Sequence, residues 1–221
     1  MNALVSTLDN LLSKYRHVDN VEIELRLGWN TKLRFRTDIG QMYYGTIYNT
    51  LNHITNATKR ESVSHVYLCS SKQRNRKNIR VITDNHNNVI DAHKKIKLET
   101  VDFMLYGTPF DMRMSVCVEL PVTKFPKRLP THAAYVRSRH RSSWEYKTWT
   151  YDLTQVTNAI PDDHFTETIQ AYEFELELNI GQANEQNLNT LYLAHSSILK
   201  IMDMLPEPVT KIRVFKQTIF T

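Results

Sequence analysis

The chain reads as a mainly β protein of the α+β class, an antiparallel sheet that sandwiches or closes into a barrel with helices outside. Three observations lead there. Most of the chain alternates apolar and polar residues with period two, short turn signals separate these runs, and helical spacing is confined to a few stretches.

In chain order, Leu4, Leu8, Leu11, Leu12 and Tyr15 recur at helical spacing, and a second helix is expected around Met42–Ile54. The strand candidates are Val21–Leu27, Lys32–Arg36, Ser64–Cys69, Asn78–Thr83, Val89–Glu99, Thr100–Tyr106, Met112–Leu120, Ala133–Ser143, Trp144–Val156, Ala171–Ile180 and Lys211–Phe220. Turns are expected at Asp84–Asn88, Gly107–Asp111, Pro126–Thr131 and Pro161–Asp163. The clearest helix runs from Asn184 to Leu205, with Leu188, Leu191, Tyr192, Ile198 and Ile201 as its apolar stripe and Pro206 as its stop.

A length of 221 residues fits a single domain, 1–221, with a sizeable core. A hydrophobic share of 41% with 5 Gly and 7 Pro excludes a low-complexity chain, and a net charge of +5 does not by itself mark a nucleic-acid binder. Cys69 and Cys117 show no metal-binding spacing and read as buried free thiols of a reducing compartment. Neither a signal peptide nor a run of about 20 apolar residues is present, so a soluble intracellular protein is expected.

The charges carry the functional signal. Glu22, Glu24 and Arg26 share one face of the first strand, and Glu173, Glu175 and Glu177 share one face of a late strand. Arg137, Arg139 and Arg141 alternate along another; Lys95, Lys97 and Glu99 are expected to share a face, as are Arg113 and Glu119. A polar face turned to water explains one such strand. It does not explain three aligned carboxylates, which repel. If these faces instead line a closed barrel, the carboxylates call for a hard cation such as Mg²⁺ or Mn²⁺, and the arginines suit a polyphosphate. A metal floor under basic walls is a site for phosphoryl transfer to water. No Walker loop or Cys-x5-Arg loop is present.

Glu22-Ile23-Glu24-Leu25-Arg26 paired with Glu173-Phe174-Glu175-Leu176-Glu177 resembles the triphosphate tunnel metalloenzymes, in the fungal and viral type of mRNA-capping RNA 5′-triphosphatase. Arg80-Val81-Ile82-Thr83-Asp84 resembles the family's arginine strand, and Lys94-Lys95-Ile96-Lys97 its lysine strand. Phe110-Asp111-Met112-Arg113 through Glu119-Leu120-Pro121, Arg137-x-Arg139-x-Arg141 and Asp152-Leu153-Thr154 follow in the family's order. The resemblance implies a closed eight-stranded antiparallel barrel that removes the γ-phosphate of 5′-triphosphate RNA, and also of NTP, with Mg²⁺ or Mn²⁺. It implies Glu22, Glu24 and Glu177 as metal ligands. Glu175 would hold or activate the attacking water with Glu173 in support, and Glu119 and Asp152 would orient basic residues and waters, with Thr154 beside them. Phosphates would be gripped by Arg80, Arg137, Arg139, Arg141 and either Lys95 or Lys97, with Arg113 a further candidate. Arg139 stands where the family usually has lysine. The chain is then either a whole triphosphatase or the N-terminal part of a larger capping protein, with a guanylyltransferase domain or partner, working in the nucleus or in a viral factory or virion.

Two other readings stand beside this one: a small-molecule or inorganic triphosphatase on the same fold, and a non-catalytic RNA-binding β-domain. Lys72–Lys77, Lys124, Lys127 and Arg128 read as solvated loops, no histidine shows ligand spacing, and Trp144, Trp149 and Tyr151 read as packing.

Overall fold

The computed structural model describes residues 2–69, 79–123, 135–146, 149–159, 168–178, 203–205 and 207–220. In chain order the elements are α1 (Asn2–Tyr15), β1 (Val21–Asn30), β2 (Phe35–Arg36), α2 (Gly40–Asn52), β3 (Thr58–Cys69), β4 (Ile79–Thr83), β5 (Val89–Tyr106), β6 (Asp111–Pro121), β7 (Tyr135–Tyr146), β8 (Trp149–Ala159), β9 (Thr168–Leu178) and β10 (Lys211–Ile219). The expected helix at 184–205 and the loops at 72–77, 124–128 and 161–163 lie almost wholly outside the described residues.

Eight strands close into an antiparallel barrel in the order β1-β6-β5-β4-β3-β7-β8-β9 and back to β1. Closure removes the exposed edges that an open sheet of this width would carry. The expected barrel is therefore the fold; the sandwich is not. Outside it, β2 extends the end of β1, and β10 pairs with the second half of β5. β2 is shorter than the expected Lys32–Arg36 strand because its first residues are exposed and turn back through Thr31.

The apolar parity of the strands turns outward and is covered by the helices. α1 buries Leu4, Leu8, Leu11 and Tyr15, which belong to one cluster with Ile23, Leu25, Val101, Phe103, Met114 and Leu176. α2 buries Ile47 and Leu51, and its Tyr48 meets Trp144 edge-on at 5.5 Å. Trp144, Trp149 and Tyr151 are buried packing residues, as expected. Asp84 accepts hydrogen bonds from the amides of His86 and Asn88, closing the expected β4–β5 turn. Gly107 turns the chain from β5 to β6 at φ +94, a conformation that glycine adopts without steric cost.

One correction concerns β5. The expected Val89–Glu99 and Thr100–Tyr106 strands are a single strand with a bulge between Lys97 and Glu99. One extra residue inverts the alternation beyond it. Glu99 therefore does not share the face of Lys95 and Lys97. It is buried on the outside, where its carboxylate accepts hydrogen bonds from Lys14 and Tyr15 of α1 and Gln217 of β10.

Candidate active site

Register carries the charged parity inward around the whole barrel. Glu24 is the cross-strand partner of Glu177, Arg26 of Glu175 and of Arg113, and Lys95 of Glu119. Asp152 pairs with Glu175 and Ser143, and Arg141 with Thr154 and Ser62. Inside lies a cavity of about 230 Å³ whose lining includes Glu22, Glu24, Arg26, Arg80, His93, Lys95, Arg137, Arg139, Arg141, Glu175 and Glu177. A second cavity of about 320 Å³ forms its mouth beside Asn20, Asp91, His93, Glu119 and Pro121.

The acidic side of the tunnel is electrostatically frustrated. Burial first, and the Glu24 carboxylate next, push Glu22 up to about 8 against the pull of Lys95. Burial and then Asp152 raise Glu177 to about 7. Lys95 Nζ lies 2.5 Å from Glu22 Oε2, 3.4 Å from Glu24 Oε2 and 3.3 Å from Glu119 Oε1. Burial would lower this ammonium, but Glu24 and Glu22 outweigh it and its pKa stands above the usual value. Arg26 bridges Glu24 at 2.8 Å and Glu175 at 2.9 Å. Although burial opposes ionisation, Arg26, Arg141 and Arg137 hold Glu175 down at about 2.

The basic side is largely pre-positioned by carboxylates. Arg141 donates to Asp152 at 2.5 Å, to Glu175 at 3.2 Å and to Thr154 at 3.0 Å, and Asp152 is held in turn by Ser143 at 2.6 Å. Arg137 pairs with Glu173, which also accepts from Thr37 at 2.5 Å. Arg139 differs: its terminal nitrogen donates to Ser64 at 3.2 Å, and its buried Nε has no partner among the described residues. Burial, then Arg141 and Arg137, lower its pKa to about 10. Among the described residues this guanidinium lacks the carboxylate that its neighbours have.

Among the described residues no three carboxylate, imidazole or thiol groups converge at metal-ligand distance, because Lys95 and Arg26 stand between the glutamates. The donor chemistry nonetheless fits Mg²⁺ or Mn²⁺. Glu24 and Glu177 face each other directly across β1 and β9, and Glu22 and Glu177 have raised pKa values; all three are hard oxygen donors whose crowding a divalent cation would relieve.

The profile of the mRNA capping enzyme beta chain matches residues 30–191. The chain belongs to this family. It is therefore a capping-type triphosphate tunnel RNA triphosphatase and a hydrolase. Glu22 and Glu24 precede the matched stretch, so their assignment rests on the barrel geometry. The fold is similar to the Pct1 RNA triphosphatase of S. pombe, with a TM-score of 0.73, 17% identity and 91% of each chain covered. It is also similar to the RNA triphosphatase domain of a trifunctional mimivirus capping enzyme, with a TM-score of 0.54, 16% identity, and 92% of this chain and 96% of that one covered. No curated protein matches in sequence.

Within this triphosphatase tunnel, most of the residues singled out from sequence come together: Glu22, Glu24, Arg80, Lys95, Glu119, Arg137, Arg139, Arg141, Glu175 and Glu177 line the cavity, with Asp152 and Glu173 buried beside it. Two do not. Arg113 has the right parity, but Asp102 binds its guanidinium at 2.6 and 2.9 Å and the ring of Phe35 lies 4.6 Å beneath it, so it lies outside the cavity lining. Lys97 is exposed, with its ammonium 5.6 Å from the Phe220 ring, which leaves Lys95 as the cavity's lysine. Sequence reasoning placed Arg26 on the right face without giving it a role, and it missed Asp91 and His93. The imidazole is buried, with Nδ1 2.7 Å from Asp91 Oδ2. Its signal was its shared parity with Lys95. Thr37 had none, since it reaches Glu173 from the segment leading into α2. Cys117 is a buried free thiol, as expected; burial and then Glu24 raise it to about 11.

Proposed function

We propose that the chain is a metal-dependent RNA 5′-triphosphatase that converts 5′-triphosphate RNA to diphosphate RNA, the first step of cap formation. The observation that carries this reading is the direct pairing of Glu24 with Glu177 inside a closed barrel whose other wall presents Arg139 without a carboxylate partner among the described residues. Glu22, Glu24 and Glu177 would hold Mg²⁺ or Mn²⁺. The cation, when bound there, supplies charge neutralisation at the γ-phosphate.

The remaining work falls to the chain's own residues. Arg139 has donors free for phosphate oxygens, while Arg137 and Arg141 reach the same cavity from positions fixed by Glu173 and Asp152. Arg80 and Lys95 line the cavity from β4 and β5. Glu175, which Arg26, Arg141 and Arg137 hold well below the usual carboxylate range, accepts a hydrogen bond from the attacking water and orients it. Phosphoryl transfer through a loose transition state needs chiefly such positioning and charge.

Among the described residues the cavity lining offers charge for phosphates and no Phe, Tyr or Trp ring for a base, which extends the reading to free NTP. A guanylyltransferase, as fused domain or partner, would complete the cap, and the chain would work where capping occurs, in the nucleus or a viral factory. Pct1 forms a complex with the Spt5 CTD, and a comparable partner would suit this chain. Among the described residues no helix is long and apolar enough to cross a membrane. The test compares γ-phosphate release from 5′-triphosphate RNA and from tripolyphosphate. A higher kcat/KM on RNA is expected, and a preference for tripolyphosphate would return the chain to the small-molecule reading.

A further inference from the structure

The cationic group closest to the proposed metal ligands belongs to the protein itself. Lys95 Nζ sits between Glu22 and Glu24 and is also in contact with Glu119, all within 3.4 Å, and its side chain is only 10% exposed. A divalent cation bound to the same oxygens would stand within a few Å of this ammonium, since Nζ is 2.5 Å from Glu22 Oε2, and like charges that close in a buried site repel, so the two compete for the carboxylates. Glu119 offers the ammonium a tether to one side: it faces Lys95 across β5 and β6 and is backed by His93 Nε2 at 3.5 Å. The arginine-lined cavity lies directly ahead.

We propose that Lys95 is the tunnel's built-in competitor for the metal position, and that its displacement couples metal binding to triphosphate binding. Lys95 leaves Glu22 and Glu24 when the divalent cation takes those oxygens. Held near Glu119, it then turns its ammonium into the phosphate cavity. Each ligand therefore favours the other by the same factor, because the ammonium gains a phosphate partner only after losing its carboxylates. This inference rests on the metal and phosphate roles proposed above, and its test separates the two.

The full-length chain is pulsed with acetic anhydride and Lys95 acetylation is followed by peptide mass spectrometry, with surface lysines as internal reference. Acetylation is expected to be slow in EDTA, to rise about tenfold with Mg²⁺ and to fall again when β,γ-imido-GTP is added. A rate that Mg²⁺ leaves unchanged or lowers would overturn the displacement. In parallel, Mn²⁺ titration by electron paramagnetic resonance on Lys95→Met is expected to show affinity about tenfold above wild type. Unchanged or weaker affinity would also overturn it. The absence of any saturable Mn²⁺ site in the wild type would instead remove the metal reading on which the inference depends.

Discussion

Raising the pH without divalent ions perturbs the acidic side of the tunnel directly. Glu22 goes from an ordinary 4.5 to about 8 on folding, so between those values the folded chain holds a proton that the unfolded chain has released. Stability is then lost as pH rises through that window and levels off above it. A displacement of roughly 3.5 pH units corresponds to about 5 kcal/mol at most. Glu177, raised to about 7, acts with the same sign in the same cavity, so the two do not simply add. Glu175, held at about 2, titrates below the assay range and does not interfere. The assay is urea unfolding in EDTA at pH 5.5 and pH 8.5, followed by the fluorescence of the buried Trp144 and Trp149. Wild type should be several kcal/mol less stable at the higher pH, and Mn²⁺ should restore more stability there than at pH 5.5. Glu22→Gln, which cannot ionise, should flatten the profile and exceed wild type in stability at pH 8.5 while losing activity. A wild type equally or more stable at pH 8.5, with a profile like that of Glu22→Gln, would refute the reasoning.

Three further outcomes separate roles within the tunnel. Glu24→Gln should lower kcat by about 10³-fold or more while circular dichroism shows the barrel intact, because the amide keeps the shape and removes a metal ligand. Arg139→Ala should cost about 10²–10³-fold in kcat/KM without loss of urea stability, since this half-buried guanidinium has no carboxylate among the described residues to leave behind. Asp102→Ala should do the reverse, destabilising the fold by about 2 kcal/mol through the stranded Arg113 while leaving KM for triphosphate RNA nearly unchanged.

The parity of the charges made the tunnel legible in the sequence. Period two forces Glu22, Glu24, Glu173, Glu175 and Glu177 onto common faces whatever the neighbouring strands are, so the acidic wall could be read before any pairing was known. Pairing itself could not. The bulge between Lys97 and Glu99 has no glycine or proline to announce it, yet it turns Glu99 outward and brings Asp102 inward to capture Arg113. The same limit applies to Lys97, whose parity is right but whose ammonium lies near Phe220 of the C-terminal strand region. Arg26 illustrates a different limit. Its face was legible, but its bridge between Glu24 and Glu175 depends on β9 lying beside β1, a contact between residues about 150 positions apart. His93 looked like an unpatterned histidine because its partners are an aspartate two residues away and a glutamate on the next strand, rather than a spaced ligand set.

Anomalous diffraction at the manganese edge, from crystals soaked in Mn²⁺, tests most directly whether β1 and β9 aim their carboxylates at one divalent cation within the closed tunnel. A single strong peak within about 2.0–2.3 Å of oxygens from Glu22, Glu24 and Glu177 is the expected result. A peak at the mouth beside Asp91 and His93, or none inside the barrel at saturating Mn²⁺, would contradict it.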